Sequence, residues 1–275
     1  MKTIWGLVIF AFLVHLKGQA QLSRSSGARS AGVGDCVAVM EGPGSFPDNP
    51  AALAATVHPV VWFSAFKFYS LHDYNDVNAG FSLNKGVARI GVLLGYQGIQ
   101  SLHCFNVALQ YSIQLHPALK MGVRLNYENF SQGASYSHQH HGSVDFGLYW
   151  QIAKSLSWGV VVFNPVHWAL KSHSPVATAY TVASGVKIQT GVYSCLYVEV
   201  GKLSGRPLGA TVGMEWNFSE KITLRTGFQT ATRRFSFGCG WNSKRVHIDL
   251  ALSNHLFTGS AVAASGYYLM SRSTW

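Results

Sequence analysis

Between residues 57 and 270 the chain alternates, run after run, between apolar side chains and polar or small ones. Phe105, Val107, Leu109, Tyr111, Ile113 and Leu115 are separated by Asn106, Ala108, Gln110, Ser112 and Gln114. Leu119, Met121, Val123, Leu125 and Tyr127 are separated by Lys120, Gly122, Arg124 and Asn126. The same period of two marks 144–152, 212–218 and 246–252. Successive side chains of a strand point to opposite faces, so each run predicts a strand with one apolar and one polar face. No helical period of comparable length competes. Turn residues at Asn84-Lys85-Gly86, His116-Pro117, Thr190-Gly191, Ser219-Glu220 and Asn242-Ser243 divide the region into about 14 strands. The longer polar gaps, 130–142, 164–177 and 201–207, read as loops.

Alternation fits a soluble sandwich as well as a membrane barrel. Composition and charge placement separate them. Only 12% of the 275 residues are charged, while 48% are hydrophobic and 13% aromatic. A soluble surface carries roughly 25% charged residues. Lys120, Arg124, Glu128, Asp145, Lys187, Glu199, Glu215, Lys221, Arg225, Arg245 and Asp249 fall on the polar parity of their runs. Both signs on one face suit a lumen whose charges pair across the wall. Tyr127, Trp150, Trp158, Trp216, Phe218, Phe228, Phe235 and Trp241 fall near run ends, as aromatic girdles do, and Trp275 ends the chain on another aromatic. In lipid every backbone N–H and C=O must be paired, which for strands means closure. The predicted class is therefore an all-β, antiparallel transmembrane β-barrel in the outer membrane of a Gram-negative bacterium, contacting outer-membrane lipid. The formal charge of +10 comes without a basic run, so nucleic acid is not an expected partner.

The N-terminus differs. Lys2, the apolar stretch 4–16 and Gly18-Gln19-Ala20 have the layout of a cleaved secretory signal at 1–20, and roughly 13 apolar residues are too few to span a bilayer. Residues 21–56 carry Gly32, Gly34, Gly42 and Gly44, which permit unusual backbone angles, and Pro43, Pro47 and Pro50, which break a strand, and the barrel follows over 57–275. Cys36, Cys104, Cys195 and Cys239 form no C-x-x-C pair and read as small apolar fillers.

Gly27-Ala28-Arg29-Ser30-Ala31-Gly32-Val33-Gly34-Asp35 and Asn49-Pro50-Ala51-Ala52-Leu53-Ala54 resemble the opening of the PorV/PorQ family, within the wider FadL-like outer-membrane barrels of Bacteroidota and related bacteria. That opening is similar to G-A-R-x-x-G-M-G followed by N-P-A-G-L-A; here Val33 stands for Met and Ala52 for Gly. Phe163-Asn164-Pro165-Val166 resembles a mid-barrel element of the same proteins. The resemblance implies that 21–56 folds into the lumen as a hatch, with Asn49, Pro50, Ala51 and Leu53 as ligand-binding or gating residues. It implies a component of protein secretion or cell-surface assembly, of the type IX kind, with secretion-system proteins or cargo as partners. The alternative it implies is a FadL-like channel for hydrophobic small molecules, with a lateral opening at a kinked strand.

Other chemistry is thin. His138, His140 and His141 form a His-rich tract, a weak transition-metal candidate read chiefly as a solvated loop tip. His141 with Ser143, and Ser253 with His255, share a parity but complete no motif of an outer-membrane phospholipase, which would carry its Ser–His pair on the outer wall. No enzyme activity and no cofactor is expected. Arg124, Glu128, Glu215, Arg225, Arg245 and Asp249 are the candidate lumenal charges, expected to pair with neighbouring strands.

Overall fold

Fourteen antiparallel strands, each paired with its neighbours in sequence, close into a barrel in the computed structural model. The structure describes residues 26–68, 71, 73–133, 138–171, 179–256 and 259–271. The expected signal at 1–20, residues 21–25 of the expected hatch, and Trp275 lie outside them. The strands are β1 (Val60–Phe68), β2 (Asn75–Lys85), β3 (Ala88–Ile99), β4 (Leu102–His116), β5 (Leu119–Gln132), β6 (Gln139–Ala153) and β7 (Leu156–Lys171). They continue with β8 (Thr181–Gln189), β9 (Ser194–Leu203), β10 (Gly209–Asn217), β11 (Ile222–Gln229), β12 (Arg234–Asn242), β13 (Val246–His255) and β14 (Gly259–Leu269). Closure comes from β1 against β14, from Val60↔Leu269 to Phe68↔Ala261.

The two faces divide as the alternation predicts. Leu109, Leu125, Phe146, Met214, Phe237 and Leu250 point outward and stay exposed, although each is large and apolar. Gln110, Ser112, Arg124, Asp145, Ser236 and Ser265 point inward and are buried. An apolar outer surface around a polar interior is stable only in lipid. Near the end that carries both Val60 and Leu269, the outward aromatics Trp150, Trp216, Phe218, Trp241 and Tyr268 form one girdle. Phe105, Tyr127 and Phe235 stand toward the opposite end. Trp158 and Phe228 are half-buried instead; the Trp158 indole donates to Ser184 Oγ at 3.1 Å, and Phe228 packs on Phe235. Short turns join the strands at the first end, which in outer-membrane barrels is the periplasmic one.

Two expected loops are corrected. β5 runs on to Gln132 and β6 begins at Gln139, so His140, His141 and Gly142 are strand residues rather than a loop tip. β7 likewise continues through Asn164 and Pro165 to Lys171. The polar side chains there mislead because that part of the hairpin is paired strand, from Val144↔Val166 to His140↔Lys171. Its register shifts at three places, between His140 and His141, between Val144 and Phe146, and between Gln151 and Ala153, and the middle shift is the largest. Val144 pairs Val166 but Phe146 pairs Val162, leaving Phe163, Asn164 and Pro165 opposite Asp145 alone. Asn164 takes φ 54, and Pro165 has no N–H to donate. Beyond Phe163↔Thr181, β7 has no further pairing with β8 among the described residues.

No disulfide joins the four cysteines. Cys36 and Cys195 share a buried cluster with Val33, Met40 and Tyr197, Cys104 is buried, and Cys239 is an exposed β12 residue rather than a filler.

Candidate functional site

From residue 26 to residue 56 the chain runs inside the barrel. A single-turn helix α1 (Ala28–Gly32) rests against β11 to β14, and a 3-10 turn at Pro43–Ser45 against β1 and β14. A second 3-10 turn at Ala52–Ala55 packs on β3, β4 and β5. Val33, Ala38, Val39, Phe46, Asn49, Ala51 and Leu53 are each 0% exposed, so this segment fills the interior like a core.

Missing side chains in the wall make room for it. Gly122 on β5 and Gly147 on β6 pair in register, and a β-carbon at Gly122 would strike the Pro50 carbonyl, at Gly147 the Asn49 amide. Gly213 on β10 and Gly227 on β11 also pair, and both would strike Val33. Gly159 on β7 would strike Ala38, and Gly80 and Gly91 would strike the Phe46 ring. The plug thus lies on a bed of glycines that alternation places on the inner face.

Asn49, Pro50 and Ala51 are fixed by hydrogen bonds as well as by contact. The Asn49 amide donates to Ala38 O at 2.6 Å and to Leu148 O of β6 at 3.3 Å, while its Oδ1 accepts from Ala51 N at 2.8 Å. The Pro50 carbonyl accepts from Gln110 Nε2 at 3.0 Å and Ser112 Oγ at 2.6 Å on β4. Leu53 packs with Phe46, Trp62 and Leu93.

Charges tie the plug to the wall. Arg29 donates to both carboxylate oxygens of Glu215 at 3.2 and 3.1 Å. Glu215 also takes Arg225 at 2.7 Å, and Arg225 reaches Asp249 at 2.7 Å across β12, where Gly240 leaves space. Glu41 meets Lys120 at 3.1 Å and Lys187 at 3.4 Å. Burial alone would raise the Glu41 carboxyl, but the two lysines outweigh it and hold it below the usual range. Glu199 Oε2 accepts Val37 N at 2.8 Å and Ala38 N at 2.7 Å. Asp35 pairs with Arg234. Asp48 is different: its Oδ1 accepts Gly27 N at 3.1 Å and lies 3.0 Å from Ser30 Oγ, yet burial dominates and pushes its pKa up to about 7.

The plug leaves a cavity of about 80 Å³ on the side away from the short turns. Pro47 and Trp62 lie at its base, with Tyr96 and Phe130 among its walls. Asp76, Glu128 and Arg124 supply charge, and Asn78, Gln97, Asn106 and Asn126 supply amides. Arg124 connects this space to the break in β7. Its Nε donates to Asp145 Oδ2 at 2.9 Å and its Nη1 to Pro47 O at 2.8 Å, while Asp145 Oδ1 accepts Asn164 N at 3.0 Å.

The remaining candidates separate. Arg124, Glu128, Glu215, Arg225 and Asp249 are buried lumenal residues, but Arg245 and Lys221 sit exposed in turns at the short-turn end. Arg245 is corrected on this ground: it precedes β13, where strand parity no longer fixes direction. His140 and His141, adjacent on β6, point opposite ways: His140 stacks on the outward Tyr127, whereas His141 meets Phe130 edge-on inside. His138 is exposed, and among the described residues no group of three His, Cys, Asp or Glu could hold a metal ion. Ser143 and Ser253 face the lumen, 2% and 8% exposed, and not the outer wall; across the strand pairs Ser143 faces His167 and Ser253 faces Ser236. Sequence reasoning did not single out the glycine bed or Asp76. The glycines signal themselves only once register places them side by side.

No protein-family model and no curated protein matches the sequence. Solved structures do. The Pseudomonas putida toluene transporter TodX superposes with a TM-score of 0.66 at 12% identity, over 91% of this chain and 99% of that one. The CymD monoaromatic hydrocarbon channel gives 0.69 at 10% identity, over 90% and 98%. A Pseudomonas aeruginosa FadL homologue gives 0.59 at 10% identity, over 91% and 99%. The chain therefore has the fold of FadL-type outer-membrane barrels, and at these identities the likeness is one of fold.

Proposed function

We propose that the chain is a passive outer-membrane channel for small hydrophobic molecules. The observation that carries this reading is the line from cavity to wall: Pro47 and Arg124 at the cavity, then Asp145, then Asn164 in the interrupted strand β7. A plugged lumen blocks straight aqueous flow. A solute resting on the plug can leave sideways where β7 lacks continuous pairing, and a hydrophobic solute gains by entering lipid there. The fold shared with a toluene transporter and a monoaromatic hydrocarbon channel supports the same reading. The role in protein secretion, resting on the resemblance of 27–35 and 49–54 to PorV/PorQ barrels, draws no support from the solved structures.

The test is uptake of radiolabelled toluene into liposomes containing the purified barrel. Entry faster than into protein-free liposomes, with little ion conductance, is the expected result. Uptake no faster than the lipid background overturns the reading.

A further inference from the structure

The charge of the cavity defines what its solute carries. Asp76 and Glu128 line it, 2% and 5% exposed, and Asp145 stands directly behind Arg124. Against these three carboxylates the described lining holds one guanidinium, Arg124, and it is joined to Asp145 at 2.9 Å and to the Pro47 carbonyl at 2.8 Å. Asn78 and Gln97 donate to Asp76 at 2.9 and 3.1 Å, so two neutral amides hold that carboxylate at the cavity wall. Among the described residues of the connections on this side of the barrel, 71, 73–74, 100–101, 133 and 138, Asp73 is the one Asp, Glu, Lys or Arg. Of the basic residues toward that end, Lys67 and Lys171 sit at the ends of β1 and β7, Lys67 donating to Tyr74 O at 3.0 Å and Asn75 Oδ1 at 2.8 Å, while Lys202, Arg206, Arg233 and Arg234 belong to β9 to β12 and their connections, on another sector of the rim.

A cleft whose lining carries an excess of one sign of charge concentrates ions of the other sign, the more so with low-dielectric walls. Trp62, Tyr96 and Phe130 give this cleft aromatic surface, whose faces attract cations while accepting apolar groups. We propose that the cavity receives hydrophobic amines, molecules with an apolar body and a cationic ammonium head, in preference to hydrophobic carboxylates. The proposal rests on the channel reading and narrows it to a solute class.

The probes are octylamine and octanoate, equal in chain length and opposite in charge, titrated against the full barrel in lipid nanodiscs by calorimetry at neutral pH. Octylamine binding roughly tenfold tighter is expected, since opposite charges on two ligands split their affinities at this range. In the Asp76→Asn, Glu128→Gln double variant the preference falls to about twofold or less. Thermal unfolding of the variant shows whether it remains a folded barrel, and the wild-type comparison stands without it. Equal affinity, or tighter octanoate, in a barrel that passes toluene overturns the amine preference alone. A barrel that passes no toluene overturns the channel reading beneath it.

Discussion

Arg124 on β5 and Asp145 on β6 face each other in register, 2.9 Å apart, with side chains 3% and 0% exposed. Through them the Pro47 carbonyl in the plug is linked to the Asn164 N–H in the broken stretch of β7. Removing one partner of such a buried pair strands the other charge, at a cost of about 3–5 kcal/mol, whereas removing both costs less. Arg124→Met and Asp145→Asn should each destabilise by roughly that amount, and the double variant by less than their sum. Urea unfolding in lipid measures all three. An additive cycle would show that the two residues do not act as a unit.

The glycine bed makes a separate prediction. A leucine at Gly122 or at Gly213 meets plug backbone, Pro50 in one case and Val33 in the other, and backbone cannot step aside. Gly122→Leu and Gly213→Leu should displace 26–56 while the strand ladder, which needs no inner-face side chains, stays closed. Planar-bilayer conductance should rise severalfold over the plugged barrel, and protease should cut within 26–56. Leu109→Ala, on the lipid face, is the control and should leave both readouts unchanged. Unaltered conductance in both glycine variants would mean that the plug does not close the pore.

Barrel class, strand number and facing were legible because a period of two records the two solvents directly. Leu125 and Arg124 differ by one position and lie on opposite faces, as their side chains require. The partner of Arg124 was not legible: Glu128 shares its face four residues on, but register puts Asp145 beside it. Pairing between strands depends on stagger, which alternation leaves undetermined. The hairpin residues His140 to Gly142 failed for another reason. Polar composition signals water without saying whether the backbone there is paired, and β5 and β6 stay paired out to Phe130↔Gln139. The fit of Pro50 over Gly122 is a contact between segments more than seventy residues apart, and no local pattern encodes it.

The outer face should respond to charge by depth. Leu250 lies midway along β13 and is 54% exposed, and Val246 at the start of the strand is 38% exposed. An arginine at the bilayer midplane costs about 2–4 kcal/mol, and near the interface about 0–1 kcal/mol. Leu250→Arg should therefore cost several times more than Val246→Arg in folding equilibria with lipid vesicles. Equal costs would place the apolar band elsewhere on the barrel.

Asp48 should make plug docking depend on pH. Its Oδ2 is buried with no hydrogen-bond partner, and burial raises its pKa to about 7 despite Gly27 N–H, Ser30, Arg29 and Arg124, all of which favour the charged form. Glu199 of the wall adds repulsion. An unfolded Asp titrates near 3.9. Because the folded value is the higher one, the contribution of Asp48 is fully present below about pH 4 and is lost as pH rises through about 7. Hydrogen exchange across 26–56 should thus show stronger protection at pH 5.5 than at pH 8, after correction for intrinsic exchange rates. Asp48→Asn keeps the shape and the Oδ1 acceptor but cannot ionise, so it should remove that difference and protect the plug at pH 8 as well as at pH 5.5. A pH dependence that survives the substitution would assign it to other groups and leave Asp48 a structural acceptor only.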